Sequence, residues 1–497
     1  MKLGDLLAGI PLTGGNYNKE LEIKSISYDT RTLKKGALFI ALSGAKEEGD
    51  DYIQQAIEKG ALAILSQRPP SSFVDHWIIT PDTRVALAQI SANWFSHPAE
   101  KLTMIGVTGT NGKTTTTYLL KEVLEKVLHT KVGLIGTVEC QIGEVSIPSH
   151  RTTPESYELQ KLLSQMVEAG CTHVVMEVSS HALVQHRVEG VLFSVGVFTN
   201  LTQDHLDYHI TMEAYRQAKA RLFQQSRWAV LNLDDEAGRW YAETVSIPTF
   251  TYSENKDWAH LTARNIRLFP SHVEFEVVTR EEIERIHLPI PGGFTIYNAL
   301  AAISCGLCLN LSLKEIAQAL RSAHGVKGRI EVVPTPKAYT VLIDYAHTPN
   351  ALENILLTAR ELTAGRLMCV FGCGGDRDRT KRAIMGSVVR ELADVAILTS
   401  DNPRTENPWA IIEDIYEGMR GQGGEIHVEP DRRKAIYWAL AQGRAGDVIV
   451  LAGKGHETYQ EIEGIQYPMD EREIVASFYE NKNTACEKTG NFKAGIV

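Results

Sequence analysis

A three-domain α/β protein is what this sequence predicts, on three observations. The 497-residue length exceeds what one hydrophobic core supports and suggests about three domains. Near residue 110 a glycine-rich turn joins a buried apolar run to an amphipathic one, the order of strand, phosphate loop and helix. The last third of the chain places polar motifs after four apolar runs, the pattern of a parallel sheet whose strand ends carry ligands.

Residues 1–98 read as a small α/β module, with strand-like runs Ala37 to Leu42 and Ala61 to Leu65 and a helical stretch Tyr52 to Lys59. Pro98 and the apolar run from Leu102 open a second domain, 99–328. There Leu102 to Val107 is a buried strand, Thr108-Gly109-Thr110-Asn111-Gly112-Lys113-Thr114 the turn, and Thr115 onward a helix. Bare backbone N–H groups and a helix N-terminus face an anion in such a turn; Lys113 reaches the outer phosphates and the Thr114 hydroxyl is placed for Mg²⁺. The loop is a variant, because the strict pattern wants glycine where Val107 stands, and this chain has Gly106 and Gly109 instead. Strand, turn, Gly-Lys-Thr and helix in that order favour a triphosphate site over a glycine turn with a solvated lysine. Further strands end in polar clusters: His173 to Val178, Phe193 to Thr199 and Trp228 to Leu233.

The third domain, 329–497, repeats this logic and reads as Rossmann-like. Thr340 to Ile343 leads into Asp344-Tyr345-Ala346-His347, and Leu367 to Phe371 into Gly372-Cys373-Gly374-Gly375-Asp376. Val395 to Thr399 leads into Asp401-Asn402-Pro403-Arg404, and Val448 to Ala452 into Gly453-Lys454-Gly455-His456-Glu457. Two such domains are expected to face each other and enclose a site that both line. From Asn481 the chain is polar and aperiodic, which predicts a frayed tail.

With 51 Lys and Arg against 61 Asp and Glu, the net charge is −10, which argues against nucleic acid or an anionic membrane as the main partner. Anionic small molecules must then meet local basic clusters. Asp5 stands where a signal peptide would be apolar, and no apolar run is long enough to span a bilayer, so a cytoplasmic location is expected. Seven scattered cysteines do not form a disulfide framework. Cys305 and Cys308 make a C-x-x-C inside a helical pattern, Asn298 to Leu309, with no second pair, and read as core thiols.

Four further groups carry potential chemistry. Glu177, at a strand end in Met176-Glu177-Val178-Ser179-Ser180-His181, offers an oxygen ligand to the Mg²⁺ held by Thr114. His205 and His209 are four apart, but Leu206 follows where a zinc helix has Glu, so His205 as ligand to a second Mg²⁺ is the better reading. Lys219 is either a salt-bridging or snorkelling side chain, or a group beside Mg²⁺. An ammonium cannot bind a cation, so the second role requires its conversion to an anion. In Asp376-Arg377-Asp378-Arg379-Thr380-Lys381-Arg382, charge runs are usually solvated faces, the reading for Arg379, Lys381 and Arg382. Arg377, with Arg404, is best placed to grip a carboxylate with two parallel bonds.

These motifs together resemble the ATP-dependent Mur ligases of peptidoglycan assembly. The resemblance runs from about residue 20 to 475 and is carried by the Asp29-Thr30-Arg31 turn, TGTNGKTT at 108–115, RTTPE at 151–155 and MEVSSHAL at 176–183. FTNLTQDHLDYH at 198–209, AKARLF at 218–223, YNALAA at 297–302, GRIE at 328–331 and DYAHTPNALE at 344–353 continue it. FGCGGDRDRTKR at 371–382, DNPRTENP at 401–408 and GKGHETYQ at 453–460 complete it. In this order the motifs are specific, and they point to the branch that adds meso-2,6-diaminopimelate.

The resemblance implies a carbon–nitrogen ligase. ATP phosphorylates the γ-carboxylate of UDP-N-acetylmuramoyl-L-alanyl-D-glutamate, the amine of diaminopimelate attacks the acyl phosphate, and the tetrahedral intermediate collapses to an amide. Domain closure would shield the acyl phosphate from water. Lys219 takes the place of the family's carbamylated lysine, N6-carboxylysine, a CO₂-derived ligand that with His205, Glu177 and Thr114 holds two Mg²⁺ sites. Gly109, Thr110, Asn111, Gly112, Lys113, Thr114 and Thr115 surround the ATP phosphates, with Asn298, Arg329 and Asp344 on the nucleotide. Thr30, Thr152, Thr153, Ser179, Gln185 and Arg187 meet the UDP-sugar dipeptide. Arg377, Asp401, Asn402, Pro403, Arg404, Gly453 and Glu457 form the diaminopimelate pocket, where Arg404 attracts the distal carboxylate that lysine lacks and Glu457 suits the distal amine. The partners implied are small molecules, and a monomer is expected.

Glu48-Gly49-Asp50-Asp51-Tyr52 replaces a common Asp-Gly-His-like sequence, Thr30 replaces the usual serine, and Thr295-Ile296 is atypical. First-domain contacts therefore transfer least securely. Competing readings are a lysine-adding sibling, a folylpolyglutamate synthetase-like ligase, and a triphosphate-driven binding switch that needs no amine acceptor.

Overall fold

The computed structural model describes residues 1–42, 48–70, 74–149, 151–202, 204–421 and 424–490. It packs as two compact units, Met1–Thr262 with Leu300–Ile316, and Ala263–Ala299 with the chain from Ala317 onward. Among the described residues no helix is long and apolar enough to cross a membrane.

The first unit opens with strands β1 (Gly14–Asn16), β2 (Ser25–Ser27), β3 (Ala37–Ile40), β4 (Ala63–Ser66) and β5 (Trp77–Ile79), ordered β1-β5-β4-β3-β2. β2 to β5 are parallel, and β3 and β4 are buried along their whole length, as an apolar run without alternation demands. A larger sheet follows: β6 (Thr103–Thr108), β7 (Lys131–Ile135), β8 (Glu139–Ile142), β9 (Val145–Pro148), β10 (Cys171–Glu177), β11 (Phe193–Phe198), β12 (Ser226–Asn232) and β13 (Thr249–Ser253). Their order is β13-β12-β11-β6-β10-β7-β8-β9, so β6 lies between two parallel neighbours, β10 and β11.

Gly106 and Gly196 are register partners on β6 and β11. A Cβ on Gly106 would lie 3.0 Å from Leu222 and Phe193, and one on Gly196 3.3 Å from Leu222. The glycine that departs from the strict loop pattern thus serves packing: it lets the helix Met212–Gln224, which carries Lys219, press onto the sheet.

β14 (Leu261–Leu268) pairs with the edge of β13 through Leu261 and Thr262. In the second unit β15 (Val273–Val278) and β16 (Ile283–Leu288) form an antiparallel hairpin. β17 (Glu331–Val333), β18 (Thr340–Asp344), β19 (Leu367–Phe371), β20 (Val395–Leu398), β21 (Glu425–Val428) and β22 (Val448–Ala452) form a sheet ordered β17-β18-β22-β19-β20-β21. A short pair, β23 (Tyr459–Ile462) and β24 (Ile465–Pro468), follows. Alternate residues of this sheet feed two cores. Leu342, Cys369, Phe371, Leu398 and Val450 pack with Leu352, Met385, Val389 and Ile415. Val341, Met368, Val370, Ile397 and Ile449 pack with Ile436, Leu440, Ile474 and Val475. Helices therefore cover both faces, the doubly wound arrangement the strand pattern predicts.

Two buried arginines organise the carboxyl ends of these strands. Arg432, fully buried with Glu471, donates from Nε to Glu471 Oε1 (2.8 Å) and from Nη2 to Ala452 O (2.8 Å), tying down the end of β22. Arg382 corrects its reading as a solvated charge. It is fully buried, donating to Glu406 (2.8 and 2.9 Å) and to Asp414 (2.8 Å). Its guanidinium holds the Glu406 carboxyl down at about 2. Lys381 also departs from that reading, donating to His347 O (2.9 Å), whereas Arg379 is exposed and pairs with Asp414 at 3.2 Å. The helix Glu471–Gly490 continues through the first ten residues of the expected frayed tail, and 491–497 lie outside the described residues.

Two stability measurements test this packing. A Cβ on Gly386 would sit 2.2 Å from Ile415 O, so Gly386→Ala should cost about 1–3 kcal/mol in denaturant unfolding. Glu406→Gln should cost about 1.5–3 kcal/mol at neutral pH. Because the folded carboxyl titrates at about 2 against an ordinary 4.5, its stabilisation is complete above pH 4.5 and is lost as pH falls towards 2. The gap between wild type and variant should close across that window; a pH-independent gap would contradict the ion pair.

Candidate functional site

The phosphate loop is built by its two neighbouring strand ends. Gly109 has φ +150°, and a Cβ there would fall 1.9 Å from Thr199 Oγ1, so no other residue fits. Thr199 Oγ1 donates to Asn111 O (2.6 Å), while Asn200 accepts from Asn111 N–H (2.9 Å) and Thr110 N–H (2.8 Å). Those two amides are thus engaged by the end of β11 and are not bare, as the sequence reading had them. Gly112, at φ +81°, starts the helix Lys113–Leu128, whose first turn carries Thr114 and Thr115. Lys113 Nζ folds back onto Gly109 O (3.0 Å) and Thr110 O (2.9 Å).

Glu177, at the end of β10, is fully buried. Its Oε1 accepts from Thr114 Oγ1 (2.9 Å) and Thr137 N–H (2.9 Å), and Oε2 from Thr137 Oγ1 (3.0 Å). Among the described residues no cationic side chain pairs with it. A buried carboxylate left with neutral donors at a phosphate loop is an unbalanced charge, and with the Thr114 hydroxyl it forms the oxygen donor set a hard divalent cation takes. The residues present fit Mg²⁺.

Lys219 is buried, donates to Gly109 O (2.8 Å), and lies 4.5 Å above the Tyr215 ring. Burial first, then the like charge of Lys113, push its amine well below the usual lysine range, against the opposing pull of Asp204. His205 is edge-on to His181 (4.9 Å) and Tyr215 (6.1 Å), so Tyr215 is a shared wall for both predicted ligands. His209 instead turns to Ser180 Oγ at 2.8 Å, and among the described residues the two imidazoles belong to no convergent ligand cluster.

Five of the six residues predicted for the sugar dipeptide join one network beside Glu177. Thr152 Oγ1 lies 3.0 Å from Thr137 Oγ1, and Thr153 Oγ1 donates to Glu177 O (2.8 Å) and accepts from Ser179 N–H (3.0 Å). Arg187 donates to Thr153 O (3.0 Å) and Gln185 Oε1 (2.6 Å), and pairs with Glu155 at 3.4 Å. Thr30 stands apart, donating to Gln55 Oε1 at 2.6 Å.

In the second unit Asp344 accepts from the N–H groups of Ile330 and Ala346, both at 2.9 Å, and burial raises its pKa against the neighbouring Arg329. Arg329 lies 5.4 Å over the Tyr345 ring, and Asn298 is buried in the helix Phe294–Cys308. Cys305, fully buried, and half-buried Cys308 share that helix; burial pushes the Cys308 thiol up to about 12.

All four polar strand ends of the third domain meet at one cavity of about 350 Å³, lined by Tyr345 and His347 after β18, Gly372 to Gly374, Arg377 and Lys381 after β19, Asp401, Asn402 and Arg404 after β20, and Gly453 and Glu457 after β22. Pro403 is the one predicted pocket residue outside this lining. Asn402 Nδ2 donates to Glu457 Oε2 (2.9 Å), and buried Lys454 donates to Asn402 Oδ1 (2.6 Å) and Glu457 Oε2 (3.0 Å). Arg404, at φ +50°, donates to Glu461 Oε2 (3.1 Å) and Gly375 O (2.7 Å).

Sequence reasoning missed Thr137, Glu155, Lys454, Glu461 and Arg432. Glu155 and Lys454 stood inside recognised motifs, where a charged residue among site residues was the available signal. Thr137, Glu461 and Arg432 belong to no motif, and only the fold brings them in.

Comparison with known proteins gives these sites a family. The Mur ligase middle domain matches residues 107–306, the Mur ligase glutamate ligase domain 328–455, and the Mur ligase family catalytic domain 22–99. The UDP-N-acetylmuramoyl-L-alanyl-D-glutamate–2,6-diaminopimelate ligase of Caldanaerobacter subterraneus subsp. tengcongensis is 47% identical over 478 residues, covering 96% of this chain and 98% of the relative. The ligase of the same name from Clostridioides difficile is 42% identical, covering 96% and 99%. A solved structure of a ligase so named aligns with a TM-score of 0.74 at 31% identity, covering 97% and 99%. Agreement in sequence, fold and length across nearly the whole chain means that this protein belongs to the Mur ligase family.

Proposed function

We propose that this chain is the ATP-dependent ligase that joins 2,6-diaminopimelate to UDP-N-acetylmuramoyl-L-alanyl-D-glutamate. The cavity at the four strand ends carries the reading, because it pairs guanidiniums (Arg377, Arg404) with a carboxylate (Glu457) and so suits a ligand bearing both charges. The names of the relatives at 42–47% identity support it.

Lys113, the helix N-terminus behind Gly112, Thr114 and Glu177 bind ATP phosphates and Mg²⁺. The metal supplies neutralisation of charge on the transferring phosphoryl group. A γ-carboxylate oxygen of D-glutamate attacks the γ-phosphorus and ADP leaves. The amine then attacks the acyl carbon, phosphate departs, and the amine's proton is released. Thr152, Thr153, Ser179, Gln185 and Arg187 hold the dipeptide acid, and the third-domain pocket holds the amine. Orientation of two such partners is worth effective molarities of up to about 10⁵–10⁸ M. The functional divisions are 1–98, 99–328 and 329–497.

Lys219 has the environment for carbamylation. Depressed basicity leaves its nitrogen lone pair free to attack CO₂, forming the N–C bond with loss of one proton and giving an anion beside the phosphate loop. That anion, with His205, would complete a second Mg²⁺ site. The location is the cytoplasm, where ATP and UDP-linked precursors are available.

Phosphate release should require ATP, the UDP-sugar dipeptide and diaminopimelate together, with a new amide in the product; ATP turnover without an amine acceptor would indicate a switch. Lys219→Ala should lower kcat on the order of 10²-fold or more. Normal turnover of that variant would remove Lys219 from the mechanism. Offered both amino acids, the enzyme should incorporate diaminopimelate almost alone, and Arg404→Ala should lower kcat/KM for it roughly 10- to 150-fold and erase the preference. Comparable use of lysine by the wild type would overturn the assignment.

A further inference from the structure

The β15–β16 hairpin of the second unit takes no part in the site above, yet its outer face gathers three metal-ligating side chains. Glu274 on β15 is the register partner of His287 on β16, and His272, two residues before Glu274, falls on the same face. His287 Nδ1 lies 3.5 Å and His272 Nε2 4.0 Å from Glu274 Oε1, and the three ligand atoms are all within 4.8 Å of one another. All three side chains are partly buried, with His272 and Glu274 more shielded than His287.

The orientation of His272 is set from outside the cluster. Its ring stacks on Phe269 (4.3 Å between centroids, 7° between planes), and its Nδ1 lies 3.1 Å from Ser271 Oγ. With Nδ1 occupied by the hydroxyl, Nε2 is the nitrogen turned to Glu274. An outer partner on one ring nitrogen is what fixes tautomer and aim in metal-binding imidazoles.

We propose that His272, Glu274 and His287 bind one divalent transition-metal ion of the zinc class. Two imidazoles and a carboxylate select zinc, nickel or copper over magnesium, so this site is chemically distinct from the oxygen set of Thr114 and Glu177. Zinc bonds of about 2.0–2.2 Å put ligand atoms of a tetrahedral site roughly 3.4 Å apart, and ring rotations closing the widest pair by at most about 1.4 Å suffice. The fourth position goes to water. Glu274 and His287 pair at the end of the hairpin away from its turn, so the ion clips together the strands where they part.

The test is zinc titration of metal-stripped full-length protein, by calorimetry and thermal unfolding, with excess Mg²⁺ and ADP present to occupy the phosphate loop. One equivalent of zinc should bind and raise the unfolding midpoint. His272→Ala and His287→Ala should each weaken binding at least about tenfold, the scale on which even outer-shell losses act, and the double variant should bind none at this site. Near-isosteric Glu274→Gln guards against a folding artefact: it should keep the metal-free midpoint and lose affinity alike. No zinc binding by the wild type, or wild-type affinity in either the double variant or Glu274→Gln, overturns the proposal.

Discussion

The burial of Glu177, with no cationic partner among the described residues, is the constraint around which the first unit is arranged. A carboxylate at full burial is tolerated when donors saturate it, and here Thr114 and Thr137 supply neutral ones. Those neutral donors restrain it without compensating its charge, a state that a cation arriving with a triphosphate would relieve under the proposed function. The same strand end then organises the residues proposed for the dipeptide: the carbonyl of Glu177 accepts from Thr153, and Thr153 links on to Ser179 and Arg187. Displacing β10 by one residue would carry off Glu177 and the Thr153 network together.

Lys219 follows from packing. A lysine on a helix covering a sheet ordinarily runs its stem along the apolar surface and lifts its ammonium into water. Gly106 and Gly196 remove the side chains that would hold this helix away, so Lys219 is buried and its nitrogen reaches Gly109 O. Burial and the nearby Lys113 both disfavour the charged form. The loop's departure from the strict glycine pattern and the unusual chemistry of this lysine therefore share one cause, the close approach of helix and sheet.

Which features were legible in the sequence depends on whether the signal was local. Strands such as Leu367–Phe371 and Val448–Ala452 are continuous apolar runs followed by glycine or polar residues, so both the strands and the strand-end motifs could be read, and the fold joins those motifs into one cavity. Val145–Pro148 and Ile465–Pro468 are largely exposed four-residue hairpin strands, and their alternation, Val-Ser-Ile-Pro and Ile-Gln-Tyr-Pro, is too short to stand out from a loop. Val273–Val278 did have period two, with Val273, Phe275 and Val277 buried between half-buried neighbours. Arg382 was misread because a charge run looks the same in solvent and in a core; Glu406 and Asp414, 24 and 32 residues away, decide the matter. Arg432 was invisible for the same reason, its partner Glu471 lying 39 residues on.

The third-domain pocket solves its electrostatics differently from the phosphate loop. Here most charges are matched before any ligand arrives: Arg432 with Glu471 beneath, Lys454 with Glu457, and Arg404 with Glu461. A buried pair contributes little net stability but is costly to break, so it acts chiefly to hold geometry. A purely cationic or purely anionic ligand must disturb one of these pairs without replacing the lost partner. A ligand carrying both ammonium and carboxylate groups can share Glu457 and Arg404 at once and leave each with a partner of opposite charge. Pre-pairing thus favours zwitterions as a class; under the proposed function the zwitterion that meets Glu457 and Arg404 is the distal amino-acid end of diaminopimelate, which lysine lacks, so discrimination against lysine would rest on that guanidinium.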